Sequence, residues 1–310
     1  ALHELIISFA DRPGKLHGLL HGRSPRTLLQ VLGASRQLGV LMRSRPELVE
    51  AAAVDSLHSA GFDGEARRAT MLAAIDAHEE QLGAADSSDS SFRRLITDVP
   101  LAEATNRLRR NYYEQLAAIM AYDVSHDDPI AIQPAVSRAL SDLADAALES
   151  ALAIAQSNTE ESELLYVVEP MAETMSQPQL VKVGSKIAML MQKICQSVMP
   201  NVMEPALWQI DGALRPEGKD GPLVRRLDSH KAYYRQWAES WEFQALLKAR
   251  AVAGDVPLGE AYMQMASEFV WQASRRENFV SDCQRMRERV ESLIPVPLRD
   301  REIKLGRGGL

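Results

Sequence analysis

A mostly helical α+β fold is predicted from three observations. Ala, Leu, Glu and Arg, all good helix formers, dominate the 310 residues, while aromatic residues supply only 5%. Apolar residues recur at three- and four-residue steps through long stretches, the period of a helix with one buried face. Short runs of strand formers appear only after residue 157. Together they predict a small mixed β-sheet with helices, set between an N-terminal and a C-terminal helical region. A pure β-sandwich or barrel is not expected.

From Ser24-Pro25, the residues Leu28, Val31, Leu32, Leu38 and Leu41 recur at roughly helical spacing, ending near Arg45-Pro46. The Asp/Ser-rich stretch 86–91 has the composition of a loop. Pro100 and Glu103 mark a first helical turn, and Leu101, Leu108, Tyr112, Leu116 and Ile119 form the stripe behind it. His126-Asp127-Asp128-Pro129 is a break. A helix from Pro134 follows, with Val136, Leu140, Leu143, Ala147, Ala151 and Ile154 in register to Gln156. Past the break at 157–159, Leu164 to Val168 has the composition of a strand, and 179–198 returns to helical period through Leu180, Val183, Ile187, Met191 and Ile194. Pro200 and Pro205 bracket a loop, and Trp208-Gln209-Ile210-Asp211 alternates as a strand does. Ser229 has the character of a helix N-cap, and Tyr233, Trp237 and Trp241 give a stripe at i, i+4, i+8 expected to face a core in a helix closed by Lys248 and Arg250. All four tryptophans fall between 208 and 271. These changes divide the chain into a helical region 1–156, an α+β core 157–254 and a helical region 255–310.

A formal charge of −7 argues against a dedicated nucleic-acid binder. No apolar run approaches a membrane span, and Glu4 interrupts the first apolar stretch as no signal peptide would. Cys195 and Cys283 are too few for a disulfide framework or a cysteine zinc site, so a reducing, cytoplasmic setting is expected. Ala1 rather than Met is expected of a fragment.

Chemistry concentrates in Asp211-Gly-Ala-Leu-Arg-Pro-Glu-Gly-Lys-Asp-Gly-Pro-Leu-Val224. A carboxylate ends a predicted strand, and a loop shaped by Pro216, Gly218, Gly221 and Pro222 carries Arg215, Glu217, Lys219 and Asp220. Glycine lets backbone N–H groups approach an anion, while Arg and Lys supply charge. Residues 215–250 hold eight Lys or Arg against five Asp or Glu, so this part is locally basic within an acidic chain, as an anionic substrate such as phosphate requires. A solvated hairpin loop has the same composition, and both readings stay open.

The run WQIDGALRPEGKDGPLVRRLDSHKAYYRQWAESWEFQALLKARAVAGD, 208–255, resembles the bacterial glutamine synthetase adenylyltransferase/adenylyl-removing family, and its actinobacterial branch above all. The flanks ALSDLADAALESALAIA (139–155), RENFVSDCQRMRERVE (276–291) and EIKLGRGGL (302–310) extend the resemblance over most of the chain. It implies the first of two nucleotidyltransferase-like domains with its helical flanks. That half removes AMP from glutamine synthetase: inorganic phosphate attacks the AMP–tyrosine phosphodiester and releases ADP. It also implies Mg²⁺ held by two acids two residues apart on one strand and a third acid on a neighbouring strand, with the PII signal protein as a further partner. Hard cations favour carboxylate oxygens, and residues n and n+2 of a strand share a face.

Carried onto this sequence, the third acid is Asp211 and the pair falls on Glu161 and Glu163, with Glu163 also expected in catalysis. Arg215 and Lys219 fall near the phosphates, and Lys248 and Arg250 are further candidates for orienting nucleotide or phosphate. The sequence departs from the family around the pair: both acids are Glu rather than Asp, Ser162 replaces an apolar residue, and a strand and Gly-rich segment do not appear before Tyr166. Two functions therefore stand open, a competent adenylyl-removing domain and a domain that docks on glutamine synthetase or PII without completing the chemistry.

Overall fold

The computed structural model describes residues 2–9, 14, 17, 25–53, 63–81, 93–159 and 177–306. These separate into two compact units, residues 1–210 and 211–310. No helix of the described residues is long and apolar enough to cross a membrane.

The first unit is built on two long helices, α6 (Leu101–Ser125) and α7 (Pro129–Ser157). Their connection is only residues 126–128, which makes them neighbours in space, as short helix connections do. Asp128 accepts from the Ile130 and Ala131 amides, and Pro129 occupies the first turn, where its missing N–H costs nothing. The predicted start at Pro134 is therefore one turn late. Alanine lines the buried face of α7 at 139, 146, 147, 151, 153 and 155. Those short side chains leave room for the larger Leu108, Tyr112 and Ile119 of α6. Leu140, predicted to lie in the buried stripe, is 42% exposed.

Shorter helices complete this unit: α1 (Leu2–Ser8), α2 (Pro25–Ala34), α3 (Arg36–Ser44), α4 (Pro46–Ala53), α5 (Gly64–Ala74) and α8 (Gln177–Gln196). The single apolar stretch predicted over 25–45 is two helices, because Ser35 caps the second by accepting from the Leu38 amide. A hairpin that periodicity does not show pairs β1 (His78–Gln81) with β2 (Arg93–Ile96) antiparallel, with Glu80 opposite Arg94. The first strand is wholly polar, the second is Arg-Arg-Leu-Ile, and at four residues each they show no alternation to read. Arg94 and Glu80 form a cross-strand ion pair at 2.6 Å.

A polar stripe at positions 106, 109, 110 and 113 of α6 holds the segment that follows α8. The Arg109 guanidinium, 1% exposed, donates to Ile194 O twice (3.0 and 2.7 Å), to Ser197 O (2.7 Å) and to Glu204 O (2.9 Å). It thereby caps the C-terminus of α8, where carbonyls lack helical partners and a cation suits the dipole. Asn106 accepts from the Met203 and Glu204 amides, and Tyr113 donates to Ala206 O. Arg45 and Arg110 both pair with the buried Glu204 carboxylate. The Trp208 indole donates to Tyr112 Oη at 3.0 Å, and the Ile210 amide donates to Gln196 Oε1 at 2.8 Å. Side chains, not a ladder, therefore fix 197–210. The strand predicted over 208–211 does not form among the described residues. Its expected neighbour, 164–168, lies outside them.

The second unit holds α9 (Leu227–Gln236), α10 (Ser240–Leu246), α11 (Val256–Ala273) and α12 (Phe279–Ser292) around Tyr234, Phe243, Leu246, Met265, Ala266 and Phe269. The continuous helix predicted over 229–250 is interrupted at 237–239. Glu239 starts α10 with a reciprocal capping box to Glu242, which resets the helical phase. Tyr234 and Phe243 then point inward, and Trp237, predicted as core, is 72% exposed. Ser229 does not cap a helix: α9 begins at Leu227, after Arg226.

Replacing Arg109 with Met is expected to destabilise the chain by about 3–5 kcal/mol, because three buried carbonyls lose their donors at once. Urea denaturation checks this, and Arg109→Lys should recover only a fraction, since an ammonium lacks the planar fork.

Candidate functional site

Residues 211–226 form a loop closed from within. Asp211 is exposed, and its Oδ1 accepts from the Ala213 amide at 2.9 Å in an Asx turn, leaving Oδ2 toward solvent. Arg215 N donates to Ala213 O and Gly218 N to Arg215 O. Glu217 (φ 65°) and Gly218 (φ 58°) are successive left-handed residues that lead into a 3₁₀ turn, Gly218–Asp220. A non-glycine residue in that region is held there by its surroundings at a cost of order 1 kcal/mol. At Gly221 a Cβ would meet Pro216 O at 2.1 Å, so the chain crosses itself where only glycine fits.

The Arg215 side chain fills the inside of this loop. Its Nε donates to Gly221 O at 3.1 Å, Nη1 to Gly212 O, and Nη2 to Lys219 O at 3.2 Å and Gly221 O at 3.0 Å. Arg225, absent from the sequence-based candidates, clamps the outer side. It pairs with the Glu217 carboxylate, donates to Ser229 Oγ at 3.3 Å and lies 5.9 Å from the centre of the Tyr233 ring. The pairing explains how Glu217 is kept in a left-handed conformation. The only hint in the sequence is a basic residue eight positions after a Glu-Gly pair, which is too common to single out.

Lys219 and Asp220 are exposed on the 3₁₀ turn, and no hydrogen bond or ion pair engages the Lys219 ammonium among the described residues. Lys248 and Arg250 follow α10, which ends at Leu246, as exposed residues of the next turn. Glu161 and Glu163 lie outside the described residues. Among the described residues no group of three or more His, Cys, Asp and Glu side chains is placed to hold a metal ion. Asp211 offers an exposed carboxylate oxygen at the start of the formed loop.

Beside Arg225 lies His230, stacked on Tyr234 and edge-on to Tyr262, with ring centroids 6.3 and 5.4 Å away. Burial, and then the Arg225 charge, hold its pKa below the ordinary 6.5. The folded imidazole therefore takes up a proton less readily than the unfolded one. Its contribution to stability is complete above pH 6.5 and is lost as pH falls through the lowered value. Thermal melts at pH 7.5 and pH 5 are expected to differ more for the native chain than for His230→Phe; equal slopes would contradict this.

Comparison with known proteins follows the same residues. The family model described as glutamate-ammonia ligase adenylyltransferase matches residues 161–265, which include the whole loop. A protein of Bifidobacterium longum subsp. infantis called a bifunctional glutamine synthetase adenylyltransferase/adenylyl-removing enzyme is 54% identical over 309 residues, covering 92% of this chain and 28% of its own length. Proteins of the same name from Cutibacterium acnes and Corynebacterium glutamicum are 35% and 42% identical, covering 94% and 67% of this chain but 30% and 22% of themselves. The chain thus spans less than a third of the length of these relatives. Identity of this extent, together with the family match across the loop, establishes that the chain belongs to the glutamate-ammonia ligase adenylyltransferase family.

Proposed function

We propose that this chain carries the adenylyl-removing activity that its relatives are named for, and that it does so by phosphorolysis of the AMP–tyrosine bond on glutamine synthetase, a regulation of nitrogen assimilation inside the cytoplasm. An oxygen of inorganic phosphate forms a bond to the AMP phosphorus, the tyrosine oxygen leaves and takes a proton, and ADP is released. The observation that carries this reading is the loop itself. A carboxylate with one oxygen unengaged among the described residues, Asp211, opens a glycine-shaped turn that presents Lys219, likewise unpaired among them, in a stretch matched to the family.

Asp211 suits Mg²⁺, which takes one or two carboxylates and completes its shell with water and phosphate oxygens. Bound there, the ion supplies charge neutralisation at the phosphates. Asp211 would hold it, with Glu161 and Glu163 as the proposed second and third ligands and Glu163 also next to the reacting groups. Lys219 attracts the incoming phosphate, with Arg215 beside it in the loop near the phosphates; Lys248 and Arg250 are the remaining cations proposed for nucleotide and phosphate. In this reading residues 157–254 are the catalytic core between helical regions 1–156 and 255–310. ADP leaves as product, and PII is proposed as a signal partner.

A second reading has one observation in its favour. Among the described residues no group of three or more His, Cys, Asp and Glu side chains forms around Asp211, as in a domain that docks on glutamine synthetase or PII without turnover. Incubating the chain with adenylylated glutamine synthetase, Mg²⁺ and phosphate separates the two. ADP release is expected, and Asp211→Asn is expected to lower it by roughly 100-fold or more, the scale of losing a group that stabilises transition-state charge. Binding to glutamine synthetase with no ADP released would establish the docking domain instead. Release unaffected by Asp211→Asn would remove Asp211 from the site.

A further inference from the structure

We propose that the two loop cations divide the work: Arg215 is a positioning residue that shapes the loop from inside, and Lys219 is the cation that meets the phosphate. The proposal rests on the phosphorolysis reading and deepens it. A guanidinium has five N–H donors. Four hydrogen bonds from Arg215 already end on the carbonyls of Gly212, Lys219 and Gly221. An anion that took more than the one remaining N–H would have to break the closure of the loop. Gly221 belongs to the same arrangement, since any side chain there would meet Pro216 O.

Lys219 has the opposite circumstances. Its carbonyl is pinned by Arg215 Nη2, its backbone is fixed in the 3₁₀ turn, and its side chain is exposed without a partner among the described residues. In a turn of three residues the neighbouring Asp220 projects about 120° away, so the two side chains do not share a direction. Of the nearby charges, Glu217 pairs with Arg225, and Arg215 is turned inward. Between Asp211 and Arg225, Lys219 is therefore the positive charge left uncommitted among the described residues, on a backbone held still by a different residue; Arg226, also exposed, stands at the start of α9.

The two roles separate in steady-state kinetics with inorganic phosphate varied. Lys219→Met is expected to raise KM for phosphate about 10-fold, more than it lowers kcat, as loss of one charge-assisted contact does. Lys219→Arg should restore most of that. Arg215→Lys keeps the charge but cannot span three carbonyls, so it should behave like Arg215→Ala: kcat falls and KM for phosphate moves little. Amide exchange gives a reading independent of turnover. The Gly218 and Asp220 amides, bonded inside the loop, should exchange faster in Arg215→Lys and at the native rate in Lys219→Met. Phosphate-induced line broadening in ³¹P spectra of the chain alone should weaken in Lys219→Met and recover in Lys219→Arg. If Arg215→Lys keeps the native exchange rates and raises KM for phosphate, or weakens ³¹P broadening, as Lys219→Met does, the proposal is overturned. A chain that releases no ADP would overturn phosphorolysis, and the exchange and ³¹P experiments would still decide the division of labour.

Discussion

One buried charge organises the first unit. Arg109 arises from the middle of α6, yet it completes the hydrogen bonding of another helix's end and of the segment beyond it. Burial holds its pKa below the usual value, opposed by the nearby Glu204 among other groups. A guanidinium has so high an intrinsic pKa that it stays charged all the same. The cost of removing that charge from water is offset because each of the three guanidinium nitrogens meets a carbonyl. Arg45, Arg110 and Asn106 then converge on 203–204, so a segment with no secondary structure of its own is held by a network instead of a ladder.

The second unit solves a similar problem on a smaller scale. Tyr233 donates to Glu242 at 2.9 Å across the break between α9 and α10, and Ser240 donates to Asp282 at 2.9 Å between α10 and α12. Arg276 lies 4.6 Å from the centre of the Phe243 ring and donates to Ala238 O. These contacts fix short helices that would be marginal alone. The α10 helix has seven residues, and its capping box replaces the continuity that a longer helix would have had.

The long helices are legible in the sequence because each has more than five turns over which one period can repeat. That holds for α6, α7 and α8, where most of the predicted stripe is buried. Leu140 fails because a stripe read from apolar type alone does not know where the alanine-packed face ends. The break at Trp237–Glu239 is hidden for a related reason: Glu239 and Glu242 look like ordinary surface acids until their reciprocal bonds to the backbone are seen. The hairpin 78–96 stays hidden because its pairing rests on opposite charges across strands, not on apolar alternation. In the loop, the residue types are legible and their roles are not. Arg215 and Lys219 are equal as charges in a sequence, and only the positions of Gly212 O, Lys219 O and Gly221 O distinguish them. Arg225 goes unnoticed because its partner, Glu217, is set by a backbone conformation that composition does not encode.

The Arg215 bonds have a consequence for how the chain folds. Each joins residues six or fewer apart in sequence, whereas those of Arg109 join residues 85 to 95 apart. Closing a ten-residue loop takes on the order of 10–100 ns, and longer separations are slower because more chain entropy is lost before any contact forms. The loop can therefore reach its final shape many times over while the helices of the first unit are still finding one another. Its geometry is a local property of some fifteen residues, carried into the folded protein and not imposed by it.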